Sequence, residues 1–189
     1  MKRLILFLAF CSMVVFSASA QKEQTVFGKT GLRLTGAWGG PATNISKIGN
    51  ENVYFRGGFG GLEFNRSVFL GWASYTLQDE IIQGLPVDRL QMRYRGPMIG
   101  YAVQPNKTVH PKFMMMVGPG HVEVNDEGVR DKILVLKPSV GLGINIFRWL
   151  HMDLEGGYRF VSDTEQPSLS DDDLSNFYAG IKFKFGFSW

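Results

Sequence analysis

Apolar and polar residues alternate with period two along most of the chain, and no stretch sustains the i, i+3, i+4, i+7 spacing of an amphipathic helix. Eight alternating segments stand out, bounded by turn residues. Leu32, Leu34, Gly36 and Trp38 alternate with Arg33, Thr35 and Ala37. Val53, Phe55, Gly57, Phe59 and Gly61 alternate with Tyr54, Arg56, Gly58 and Gly60. Phe69 to Leu77 and Leu90 to Met98 repeat the pattern, the second setting Arg93 and Arg95 against Met92 and Tyr94. A fifth strand lies near Lys112 to Val124, where Met114-Met115-Met116 is apolar on both faces and Pro119 predicts an irregularity or bulge. Leu134 to Ile146, Met152 to Phe160 and Phe177 to Trp189 complete the set.

Eight is an even number, and most segments reach the 9–11 residues that a tilted strand needs to cross a bilayer. The connections alternate in length. Phe64–Ser67, Gln104–His110 and Phe147–Leu150 are short; Gly39–Asn52, Asp79–Asp88, Asn125–Lys132 and Ser162–Asn176 are longer and more polar. Short turns at one end and long loops at the other are the asymmetry of periplasmic turns and extracellular loops. The expected fold is all-β: an eight-stranded antiparallel transmembrane up-and-down β-barrel.

Charge decides how the faces are assigned. Only 20% of the 189 residues are charged, 13% are aromatic and 23 are glycine. On a membrane barrel the apolar face meets lipid and the polar face lines the lumen. Runs such as Phe183, Phe185, Phe187 look too bulky for a narrow bore, so the aromatics are assigned outward and the charges inward. The expected lumen network is Arg33, Arg56, Arg93, Arg95, Lys137, Asp153, Glu155, Arg159, Lys182 and Lys184. Buried charges must be paired or hydrogen-bonded. Asp153 and Glu155 are therefore expected to meet bases of strand six or eight, with Glu63 and Glu123 helping the balance. Such a network predicts a filled lumen; the alternative is a narrow anion-selective conduit.

The N-terminus reads differently. Lys2 and Arg3 precede an apolar run from Leu4 to Phe16, then Ala18-Ser19-Ala20. This is the layout of a secretory signal peptide, too short to span a bilayer. Residues 1–20 are expected to be cleaved after Ala20, leaving 21–189 as the barrel domain. The one cysteine, Cys11, falls in the peptide, so the mature chain has no disulfide framework. Lys2 and Arg3 supply two of the three excess positive charges, and the remaining +1 argues against nucleic acid as a partner.

The chain ends Phe183-Lys184-Phe185-Gly186-Phe187-Ser188-Trp189. This resembles the terminal strand of bacterial outer-membrane barrels, where the outward Phe183, Phe185, Phe187 and Trp189 would be the signal read by the barrel-assembly machinery. The whole chain resembles small outer-membrane barrels of the OmpA/OmpX type. The unit Gly141 to Leu150 followed by Gly156-Gly157-Tyr158-Arg159-Phe160 is similar to Bacteroidetes members. The resemblance implies a bacterial outer-membrane location, with outer-membrane lipid and lipopolysaccharide as surroundings.

Catalysis is the rival reading, because lipid A-modifying enzymes share this architecture. Their deacylase branch carries His-x-Ser on one strand. Here His110, His121 and His151 are followed two residues on by Lys112, Glu123 and Asp153, so that motif is absent. The pairs His121/Glu123 and His151/Asp153 each share a strand face but have no matching nucleophile. No dedicated apolar lumen is apparent for an acyl chain. Asp171-Asp172-Asp173 lacks the ligand spacing of a calcium loop and reads as a solvated acidic run. No catalytic, cofactor or metal site is assigned. The leading expectation is a structural or surface-adhesion protein acting through loops 39–52, 79–88, 125–132 and 162–176. A soluble lipocalin-like carrier is the third possibility.

Overall fold

The computed structural model describes residues 31–49, 51–78, 90–124, 130–164 and 170–189. Within them lie eight strands: β1 (Leu34–Ile48), β2 (Glu51–Phe64), β3 (Val68–Leu77), β4 (Leu90–Ala102), β5 (Val109–Val124), β6 (Arg130–Phe147), β7 (Leu150–Ser162) and β8 (Asn176–Ser188). Each pairs antiparallel with the next, and β8 returns to β1 through Gly36↔Ser188 and Ala37↔Phe187. The sheet is a closed up-and-down barrel with no free edge. The expected signal peptide, Cys11 and the loop 79–88 lie outside the described residues.

Two expectations are corrected. Gly39–Asn52 is not a long loop: β1 runs on to Ile48 and β2 begins at Glu51. Gly39-Gly40-Pro41 reads locally as a breaker, but Ala42, Asn44, Ser46 and Ile48 keep the inward alternation beyond it. Pro41 lacks an N–H, and pairing with β8 is interrupted between Gly39 and Ala42 while pairing with β2 continues through Pro41↔Gly58. Likewise β5 is one regular strand through Pro119, which pairs with Leu134; the gap in its ladder is toward β4, between Gly120 and Met116.

At the turn end, Asn65 and Arg66 both have positive φ (50° and 59°), and the Ser67 N–H donates to the Phe64 carbonyl at 3.0 Å. That is a type I′ hairpin, whose twist matches its strands. At the loop end a four-residue helix, α1 (Asp171–Leu174), precedes β8. Asp173 closes a capping box with Ser170, and Asp171 Oδ1 accepts from the Thr164 N–H at 3.0 Å. The acidic run therefore caps a helix.

The outer wall is apolar over most of its height. Leu62, Leu70, Trp72, Ile99, Tyr101, Phe113, Val140, Leu142, Ile181 and Phe183 are all exposed. A continuous band of this kind marks a surface that meets lipid rather than water.

Candidate functional site: the barrel interior

The inward face differs from the expected one in half of the barrel. In β6, β7 and β8 the large apolar residues point outward, as alternation suggested: Leu134, Leu154, Phe160, Ile181, Phe183 and Phe185 are exposed. In β2, β3 and β4 the faces are reversed. Phe55, Phe59, Phe69, Tyr75, Met92 and Tyr94 are buried, and Trp38 of β1 joins them. The bore accepts several of these rings because small residues stand opposite them. Phe59 pairs with Gly40 on one side and Ala73 on the other; Trp38 lies between Gly61 and Gly186; Tyr178 faces Gly157. A Cβ built on Gly71 would approach the Phe69 ring to 2.7 Å, so only glycine leaves that ring its place.

Because those faces are reversed, Arg56, Arg93 and Arg95 stand exposed on the outer wall, not in the lumen, and Arg33 lies exposed just before β1. This corrects four of the ten expected lumen charges. The other six are buried: Lys137, Asp153, Glu155, Arg159, Lys182 and Lys184. Glu63, expected to help the balance, is buried as well, and so are Lys112, Asp131 and His110, which were not expected there; Glu123 instead pairs with the exposed Arg130 at 3.2 Å. The alternation in β5 would have placed Lys112 inward beside the methionines, but both faces there are apolar and hid the parity. Among the described residues the interior thus holds five basic side chains against four acidic ones. That is nearly balanced, where the sequence reading counted eight against two.

The side chains lie in three layers. Near the turn end, Lys112 of β5 makes a short ion pair with Asp153 of β7. Trp38 packs against His151 with ring centroids 4.2 Å apart and the planes tilted by 32°, and the Lys184 ammonium lies 5.2 Å from the Trp38 ring centroid. Ser188 Oγ donates to Glu63 Oε1 at 2.6 Å. A vestibule of about 830 Å³ opens here, lined by Trp38, Glu63, His110, Lys112, His151 and Lys184 among others.

In the middle, Lys182 Nζ bonds Glu155 Oε2 at 2.6 Å, and Ser139 Oγ donates to the same oxygen at 3.3 Å. Lys137 sits between aromatic faces: its Nζ is 4.0 Å from the Tyr178 centroid, 4.1 Å from Tyr75 and 5.6 Å from Tyr94. Those rings come from β8, β3 and β4, so the Lys137 side chain crosses the bore from β6. A desolvated cation–π contact is worth about 2 kcal/mol or more.

Toward the loop end the interior becomes apolar. Ile48, Val53, Leu90, Met92, Val122, Val135 and Leu174 are almost wholly buried in one cluster. Arg159 lies beneath α1. Its Nε donates to the Leu174 carbonyl at 2.9 Å, its Nη2 to the Lys47 carbonyl at 3.1 Å, and its guanidinium carbon is 4.6 Å from the Phe55 centroid.

His110 and His151 belong to the turn-end vestibule, while His121 is exposed on the outer wall. His110 Nδ1 meets the Lys107 carbonyl at 3.1 Å. No His–Ser–acid cluster is found at the loop end among the described residues.

A closed barrel of eight antiparallel strands with an apolar outer wall defines a membrane-spanning β-barrel. Residues 8–185 match the outer membrane protein beta-barrel domain family, and the chain belongs to it. No curated protein matches the sequence. Solved structures with this fold include Neisserial surface protein A, at 8% identity and TM-score 0.59, covering 84% of this chain and 99% of that one. The N-terminal β-barrel domain of Pseudomonas aeruginosa OprF gives 11% identity and TM-score 0.57, covering 82% and 99%. Ail, the attachment invasion locus protein of Yersinia pestis, gives 15% identity and TM-score 0.50, covering 81% and 100%. Family and fold place the chain among bacterial outer-membrane barrels.

Proposed function

We propose that this is a non-enzymatic outer-membrane protein whose filled barrel is a rigid support for a surface-exposed loop end, which carries an adhesive or binding role. The observation behind this reading is the Lys137 crossing. Its ammonium touches rings from β3 and β8, the Lys182–Glu155 pair lies in the same layer, and the apolar cluster closes toward α1. Such an interior resists deformation and blocks solute flow. The first hairpin is tight, so the binding role falls to the segments 79–88, 125–132 and 162–176. Ail, which shares the fold, is named for attachment, and that supports the same role here. Cleavage after Ala20, a periplasmic turn end, and reading of Phe183, Phe185, Phe187 and Trp189 by the assembly machinery complete the proposal.

Two measurements test it. In planar bilayers the purified barrel is expected to give no stepwise conductance; regular steps would favour the narrow conduit. Cells displaying the protein should attach to matrix-coated surfaces better than cells in which residues 79–88 are replaced by a Gly-Ser linker. Equal attachment would overturn the surface role.

A further inference from the structure

The arginines that left the lumen fall into a pattern on the outer wall. Strand register sets Arg56 of β2 opposite Thr76 of β3, Thr76 opposite Arg93 of β4, Arg93 opposite His121 of β5, and His121 opposite Lys132 of β6. All five are exposed, and they form one row across five consecutive strands. Arg95 stands two residues from Arg93 on the same face. Every cation of the row lies within six residues of the loop end of its strand. With strands about 4.8 Å apart, Arg56 and Arg93 are separated by about 10 Å at the backbone, and so are Arg93 and Lys132.

We propose that this row binds the phosphate groups of lipid headgroups in the leaflet at the loop end. Three observations carry it. First, the same wall is apolar below the row, with Leu62, Leu70, Ile99, Tyr101 and Phe113 exposed, so the cations stand where hydrocarbon gives way to headgroups. An outward Arg costs about 2–4 kcal/mol at the bilayer midplane and about 0–1 near an interface. The long side chains reach that interface while their stems stay on apolar surface. Second, the row is short of acids. Glu123 already holds Arg130, at 3.2 Å, and no ion pair to Arg56, Arg93, Arg95 or Lys132 is found among the described residues. A cleft of about 480 Å³ opens on this face, lined by Arg93, Arg95, His121 and Arg130, with Glu123 as its one acid. Third, the row is one-sided. Across β7 and β8 the outer wall near the loop end instead carries the aromatic cluster Tyr158, Phe160 and Phe177. The planar guanidinium forks match phosphate oxygens two at a time. The 10 Å spacing gives each phosphate its own cation, with a hydroxyl or imidazole between. This inference rests on the membrane-facing wall and not on the adhesive role of the loops.

The test reconstitutes the protein in phosphatidylcholine vesicles with and without phosphatidic acid. Lipid retained after detergent extraction is then counted by native mass spectrometry. The wild-type protein should carry phosphatidic acid through extraction, and excess inorganic phosphate should not displace it. The variant Arg56→Gln/Arg93→Gln/Arg95→Gln/Lys132→Gln should lose retention about tenfold, equivalent to about 1.4 kcal/mol. A control, Arg66→Gln/Arg148→Gln, removes exposed cations of the turn end and should retain lipid like the wild type. Heat-modifiable migration reports that each variant is folded, and single Arg93→Gln and Arg95→Gln variants give the same reading if the fourfold change impairs folding. Equal retention in the row variants and the control, or release by inorganic phosphate, overturns the proposal.

Discussion

The Lys182–Glu155 pair offers the sharpest test of how the interior is held. The two side chains are only 3% and 4% exposed, and the bond is 2.6 Å. Changing Glu155→Gln keeps the volume and leaves a group that can still accept from Ser139, but it strands the Lys182 charge. The nearest aromatic compensation for that charge is Phe59, whose ring centroid is 5.9 Å away. Stranding one member of a buried pair costs about 3–5 kcal/mol. That lowers the folding equilibrium constant by roughly two to three and a half orders of magnitude. Removing both charges with Glu155→Gln/Lys182→Met should instead fall within about 1 kcal/mol of wild type, because desolvation of two ions is no longer required. The assay is urea-driven unfolding and refolding in lipid vesicles, followed by heat-modifiable electrophoretic migration and tryptophan fluorescence, with linear extrapolation to water. The expected coupling between the two sites exceeds about 2 kcal/mol. A single substitution costing under about 1 kcal/mol would refute the reasoning. So would a double variant as unstable as the sum of the singles, since either result means water or another partner already neutralises the charge.

Other outcomes follow from the same geometry. Gly71→Val drives a branched side chain against the Phe69 ring and the Gly60 carbonyl, so the folded electrophoretic form should be largely lost, whereas Ser74→Val in the same strand should fold. Arg159→Met removes two charge-assisted bonds to the Leu174 and Lys47 carbonyls; at about 1.5–3 kcal/mol each, α1 should loosen and the loop end should become protease-sensitive before the strands unfold. Val140→Arg places a charge on the outer wall in the interior of β6, distant from the Arg93 row, and should cost about 2–4 kcal/mol in vesicle-based unfolding. Removing a charge at Arg95 should cost far less, and the reverse order would contradict the assignment of depth.

Strand number, antiparallel order and the membrane-spanning class were legible in the chain, because period-two alternation and turn residues are local properties. The inward residues of β7 and β8 were legible too, since Asp153, Glu155, Lys182 and Lys184 all share a face opposite an unbroken apolar one. What alternation cannot say is which of its two faces points inward. In β2–β4 both answers satisfy the pattern. An aromatic can enter the bore if a small residue stands opposite it on the next strand, as Gly40 and Ala73 do for Phe59. An arginine can face outward if its strand position brings it to the headgroups, as at Arg56 and Arg93. Both conditions depend on register between strands and on height in the membrane, which arise only when the barrel closes. The same holds for the Lys112–Asp153 pair: its members are 41 positions apart in sequence, on strands that are not neighbours, and meet only because the barrel folds both across one bore.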